Sequence, residues 1–140
     1  MYTYQVTYHF EKEKKRNGEY VNRPIADAFD SFLDSEEIQA ERDGTTSTAY
    51  FRFGGDIEAL KNYIMQYFRE RTKETKKKIS FAKKDVIAIT CYKSEHHETY
   101  VVCRWLFKNN DLEPFPDEIE NLFKSFYDLT VDDIKGRLFH

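Results

Sequence analysis

Residues 2–10 alternate without a break: Tyr2, Tyr4, Val6, Tyr8 and Phe10 fall on one side of an extended chain, and Thr3, Gln5, Thr7 and His9 on the other. A period of two in β-favouring residues predicts a strand with one buried face. Such a strand needs hydrogen-bonded neighbours and a layer over its apolar side. The rest of the chain offers both.

Pro24 suits the first turn of a helix, and Ile25, Ala28, Phe29, Phe32 and Leu33 follow the spacing of one helical face. Asp27, Asp30 and Asp34 fall on the opposite side, and the pattern ends near Ser35. Segments 38–42 and 48–53 flank Asp43-Gly44-Thr45-Thr46 and read as a hairpin. In its second strand Ala49, Phe51 and Phe53 alternate with Thr48, Tyr50 and Arg52. Gly54-Gly55 breaks that strand, and Asp56 is suited to cap a long amphipathic helix carrying Ile57, Leu60, Ile64, Tyr67 and Phe68. The charged segment 11–16 and the turn dipeptide Asn17-Gly18 predict a solvated ribbon or mobile loop before the first helix.

A short strand is expected at 79–82, a clear one at 86–92 and its partner at 99–107. Directly paired residues of antiparallel strands share a face. If Ile87, Ile89 and Cys91 share a face with Cys103, Trp105 and Phe107, paired positions sum to an even number and the connecting loop is odd, three or five residues long. One permitted register sets Cys91 opposite Cys103, Ile89 opposite Trp105 and Ile87 opposite Phe107.

Segment 109–116 reads as a loop. Pro116 then opens a helix with Ile119, Leu122, Phe123 and Phe126, and Thr130 caps a last short one. The order β-α-β-β-α-β-β-α-α predicts an α+β fold. Its antiparallel sheet has about five strands around a split βαβ, ferredoxin-like core, with helices on one face and a C-terminal helical extension. Residues 1–140 are read as a single domain with Tyr4, Val6, Phe29, Phe32, Phe51, Leu60, Ile64, Ile89, Trp105 and Phe123 in its core.

Composition agrees with a packed chain: 40% of the 140 residues are hydrophobic and 16% aromatic, with only five Gly and three Pro. No apolar run approaches the ~18 residues of a membrane helix, and residues 1–5 lack the layout of a signal peptide. Two Cys make neither a disulfide framework nor a zinc site. The expectation is a cytoplasmic protein with reduced thiols, no metal, no cofactor and no membrane partner.

Catalytic chemistry finds little support. His96-His97 sits in an expected hairpin loop between Glu95 and Glu98, where a solvated turn explains it better than a metal site. His9 lies on the polar side of its strand with no nucleophile motif nearby. Cys91 and Cys103 have apolar neighbours and read as small core hydrophobes. Arg104 lies mid-strand and would need an acidic partner if buried. Gly54-Gly55 followed by Asp56 is a turn and cap, since an aspartate there repels an anion. No catalytic or metal-binding motif appears, so a non-enzymatic role is expected.

Charge segregation carries the functional reading. Residues 69–84 hold eight basic residues against two acidic, a balance of +6. Residues 27–43 hold seven acids and one Arg, a balance of −6, and residues 111–133 hold eight acids and one Lys, a balance of −7. Ordinary solvated faces would look the same, but fixed charge of one sign also steers an oppositely charged partner. The favoured expectation is a protein-binding module, a small inhibitor or adaptor, meeting a basic partner through Asp27, Asp30, Asp34, Asp117, Glu118 and Glu120. Such acidic faces can imitate a nucleic-acid backbone, as viral inhibitors of host defence nucleases do. The acidic surface is preferred because regular helices fix its charges. The Lys-rich stretch lies where the helical pattern fades, and a mobile tract presents its charges with less definition.

The alternative is a nucleic-acid-binding domain. The βαββα order is similar to that of RNA-recognition domains, and Tyr50 and Arg52 would then offer an open sheet face, with phosphate contacts from Lys73, Lys76, Lys77 and Lys78 in the basic stretch 73–84. Thr48-Ala49-Tyr50-Phe51-Arg52-Phe53 lacks the basic-Gly-aromatic start of that family's signature.

Overall fold

The first strand sits in the middle of the sheet, hydrogen-bonded on both sides. In the computed structural model, which describes residues 2–44, 47–95, 98–108 and 111–114, the fold is α+β. Its elements are β1 (Tyr2–His9), β2 (Glu13–Lys14), β3 (Tyr20–Val21), α1 (Pro24–Asp34), β4 (Glu41–Arg42), β5 (Thr48–Phe53), α2 (Ile57–Thr75), β6 (Val86–Glu95), β7 (Glu98–Lys108) and β8 (Asp111–Pro114). Among the described residues, six strands form one sheet in the order β4-β5-β1-β6-β7-β8, every neighbouring pair antiparallel. Strands β2 and β3 form a separate ribbon. No described helix is long and apolar enough to cross a membrane.

Both helices pack on one face. Ile25, Phe29, Phe32 and Leu33 of α1 and Leu60 and Ile64 of α2 are 0–1% exposed, buried with Tyr4 and Val6 of β1. Burial of each such side chain is worth about 1.5–3 kcal/mol. Phe32 stacks on Phe29 at 5.7 Å and meets Phe51 and Tyr67 edge-on, so α1 is locked to both β5 and α2. Asp56 caps α2 by accepting from the Ala59 N–H at 2.9 Å. Gly55 has no alternative: a Cβ there would lie 2.6 Å from Ala59 Cβ, while its carbonyl accepts the Tyr4 hydroxyl at 2.7 Å.

Several expectations need correction. The sheet is buried on both faces at its centre, not one. Gln5, Thr7, Thr48, Tyr50, Ala88, Tyr92 and Leu106 point away from the helices, yet each is at most 6% exposed. The polar members bond each other, Tyr92 Oη donating to Gln5 Oε1 at 3.0 Å and the Thr7 and Thr48 hydroxyls lying 3.3 Å apart. Alternation read as apolar and solvated is therefore apolar and hydrogen-bonded.

In the β6–β7 hairpin the register holds as expected from Ile87–Phe107 through Cys91–Cys103. The odd loop does not follow. An irregularity between Cys91 and Tyr92 shifts the pairing to Tyr92–Val101, and the strands run on to Glu95–Glu98. A bulge absorbs the parity that the loop was expected to absorb. Segment 79–82 is not a strand, and the expected loop after β7 contains β8. Trp105 is half-buried and not a full core residue. The C-terminal helical extension, Phe123 and His96-His97 lie outside the described residues.

Candidate functional site

The segment after α2 carries the densest positive charge, and the structure holds it firmly. Helix α2 closes at Lys76, whose φ of 59° marks a left-handed cap. Lys76, Lys77 and Lys78 are exposed, and then Ile79 and Phe81 turn inward against the core. The Phe81 ring meets Phe107 edge-on at 5.3 Å. Lys83 and Lys84 are again exposed, and the chain enters β6 through Asp85. Apolar anchors between the lysines thus fix a stretch expected to be mobile.

Asp85 is the pivot. Only 1% exposed, it accepts from Glu11 N at 2.7 Å, from Ala82 N at 2.7 Å and from Arg23 Nη1 at 2.6 Å. Arg23 also donates to the carbonyls of Glu11 at 3.2 Å and Ser80 at 2.7 Å. A carboxylate so buried is tolerable only with its lone pairs filled and its charge matched. Arg23 precedes the first turn of α1, where the helix dipole disfavours a cation, and Asp85 compensates it there. The clasp ties the start of the ribbon to the end of the Lys-rich loop, because His9 of β1 pairs with Val86 of β6.

The clasp brings one end of each basic tract to a common cleft, Lys12 from the ribbon and Lys84 from the loop. The ribbon presents Lys12, Lys14, Lys15 and Arg16, all exposed, and the loop presents Lys76, Lys77, Lys78, Lys83 and Lys84. Gly18, with φ of 88°, closes the ribbon turn, which Gly18 N and Lys15 N complete by donating to the Lys15 and Glu19 carbonyls. Between ribbon, β1 and α1 lies an open cleft of about 710 Å³. Lys12, Lys84 and His9 line it with Tyr8, Phe10 and Tyr20. Tyr20 is 63% exposed, the single large exposed hydrophobic residue among those described, and Lys14 Nζ lies 5.8 Å from its ring centroid. Glu11 and Asp30 also border the cleft, so its charge is mixed and its surroundings are basic.

Two of the expected acidic residues, Asp30 and Asp34, share one cation. Arg42 of β4 donates to Asp30 Oδ1 and to the Asp30 carbonyl, each at 2.9 Å, and pairs with Asp34 at 3.2 Å. Partial burial works to lower the pKa of its guanidinium, and the hydrogen bond to Asp30 with the nearby Tyr8 hydroxyl and the Asp30 and Asp34 carboxylates outweighs this and holds it above its ordinary value. Asp27 is exposed and lines a 120 Å³ cavity with Arg71 and Lys77. Asp117, Glu118 and Glu120 lie outside the described residues.

The expected stacking face is corrected. Tyr50 is 6% exposed and clusters with Tyr92, so its ring is closed to a stacked base, while Arg52 beside it is exposed. Lys73 of α2 is exposed. Cys91 is buried, and for Arg104 only its register opposite Thr90 is described.

Sequence reasoning missed Arg23, Asp85 and Tyr20. A lone acid closing a run of lysines at the mouth of a strand was the available signal for Asp85. Nothing in the sequence indicates its partner 62 residues away. No family model matches this chain, and no curated protein or solved structure matches it.

Proposed function

We propose that this chain is a non-enzymatic binding module that engages single-stranded nucleic acid along its basic side. The reading rests on one observation, the Arg23–Asp85 clasp. It ties Glu11 to the residue that follows Lys83-Lys84, and Lys12 and Lys84 border one cleft as a result. Phosphate contacts need cations in a fixed array, and the array is a local property that a net charge of −3 does not prevent. Within this reading the strand order β4-β5-β1-β6, with α1 and α2 as crossovers, is a split βαβ, ferredoxin-like core extended by β7 and β8.

Protein binding through the acidic helix faces, as an inhibitor or adaptor, is the competing reading. It is weaker because Asp30 and Asp34 already share a cation. Anisotropy of a labelled single-stranded oligonucleotide, titrated at about 50 mM and about 200 mM salt, separates the two. Binding that weakens steeply with salt is expected. Absence of binding at the lower salt contradicts the nucleic-acid reading. Association with a basic protein that slows on Asp27→Asn, Asp30→Asn and Asp34→Asn favours the acidic one.

A further inference from the structure

We infer that the cleft beneath the β2–β3 ribbon is a seat for one nucleobase and its adjoining phosphates within a single strand. The inference rests on the nucleic-acid reading above and adds a base-contacting site that phosphate binding alone does not require.

A base seat needs an aromatic plane, a polar edge and cations for the flanking phosphates. Tyr20 supplies the plane: its ring borders the cleft and stays mostly in solvent, although a tyrosine gains by covering its apolar ring. Asn22 supplies the edge, since its amide both donates and accepts and it lines the same cleft. Lys12 and Lys84 border the cleft with Glu11 and Asp30, and Lys14 Nζ lies over one face of the Tyr20 ring at 5.8 Å from its centroid, so a base would stack on the other face. At about 710 Å³ the cleft falls within the 300–1,000 Å³ range of small-ligand sites. A nucleotide unit suits such a space, and the open sides let a strand enter and leave.

A nucleobase beside a phosphate can come from a strand or from a free nucleotide. The strand is the assigned occupant, because the cleft is open and exposed Lys83, outside its lining but next to Lys84, would engage a further phosphate. Two single-stranded probes of equal length test the inference, one of deoxythymidine and one abasic. Each is titrated against the intact chain and against Tyr20→Ala, Tyr20→Phe and Lys84→Ala. Tyr20 is exposed, so Tyr20→Ala should keep the wild-type denaturation midpoint. The expected result is tighter binding of the thymidine strand, a loss of about 5- to 100-fold on Tyr20→Ala, and retention within about twofold on Tyr20→Phe. Lys84→Ala should flatten the salt slope for both probes. Equal binding of both probes by wild type, unmoved by Tyr20→Ala, overturns the seat while the phosphate reading stands. Displacement of the strand by thymidine monophosphate at equal molar concentration overturns the strand as occupant. Binding of neither probe overturns the seat and the nucleic-acid reading together.

Discussion

Arg23 and Arg42 each bind carboxylates and backbone oxygens, yet they do opposite things to the surface. Arg23 is 18% exposed at its side chain and its partner Asp85 is 0% exposed. Arg42 is 32% exposed, with Asp30 at 46% and Asp34 at 70%. The buried pair spans distant parts of the chain and brings Lys12 and Lys84 to the border of one cleft. The half-exposed cluster stays near α1 and commits its charge to two aspartates that would otherwise be open to a partner. A count of charges along the sequence treats both regions alike. What separates them is where the counter-charge sits.

The largest effect should come from the clasp. Asp85→Ala leaves Arg23 without its partner and two backbone donors, Glu11 N and Ala82 N, without an acceptor. A destabilisation of about 3–5 kcal/mol is expected in urea denaturation. A value below about 1 kcal/mol would place Asp85 in the same class as an exposed pair and remove the contrast. Phe81→Ala should cost about 2 kcal/mol, less than a fully buried Phe because the ring is only partly covered. Oligonucleotide affinity should fall with it, since the ring anchors the lysines on either side. Unchanged affinity would mean that the loop's order is irrelevant to binding.

Arg42→Ala should be milder, about 1 kcal/mol or less, and smaller still at high salt, because solvent screens its partners. It should also free Asp30 and Asp34, so any gain in affinity for a basic protein would sharpen the second reading. Smallest in stability is the pair Lys83→Ala and Lys84→Ala, expected within about 0.5 kcal/mol of wild type. The same substitutions should reduce the salt slope of oligonucleotide binding by about 0.7 for each phosphate no longer neutralised. An unaltered slope would show that these lysines only solvate the loop.

Where hydrophobic period and capping residues act locally, the sequence is a good guide. Strand β1, the face of α1 and the Asp56 cap all follow from neighbours within a few residues. Its failures share a cause. The bulge at Cys91, strand β8 and the burial of Tyr50 depend on what lies across the sheet, which periodicity does not encode. Segment 79–82 reads as a strand because Ile79 and Phe81 alternate, and they do point inward, but they are pinned to the core without a strand partner. Of the candidate site, the lysines of 76–84 were legible as charge. Their fixed placement was not, because it depends on one aspartate and an arginine far away in sequence.

Mapping amide shifts of the labelled chain while a single-stranded oligonucleotide is added tests the central claim most directly. Amides of 12–16, 20–22 and 76–84 should move together on one binding curve, while those around Asp27, Asp30 and Asp34 stay still. Shifts confined to the α1 surface, or none at oligonucleotide concentrations well above that of the protein, would contradict it.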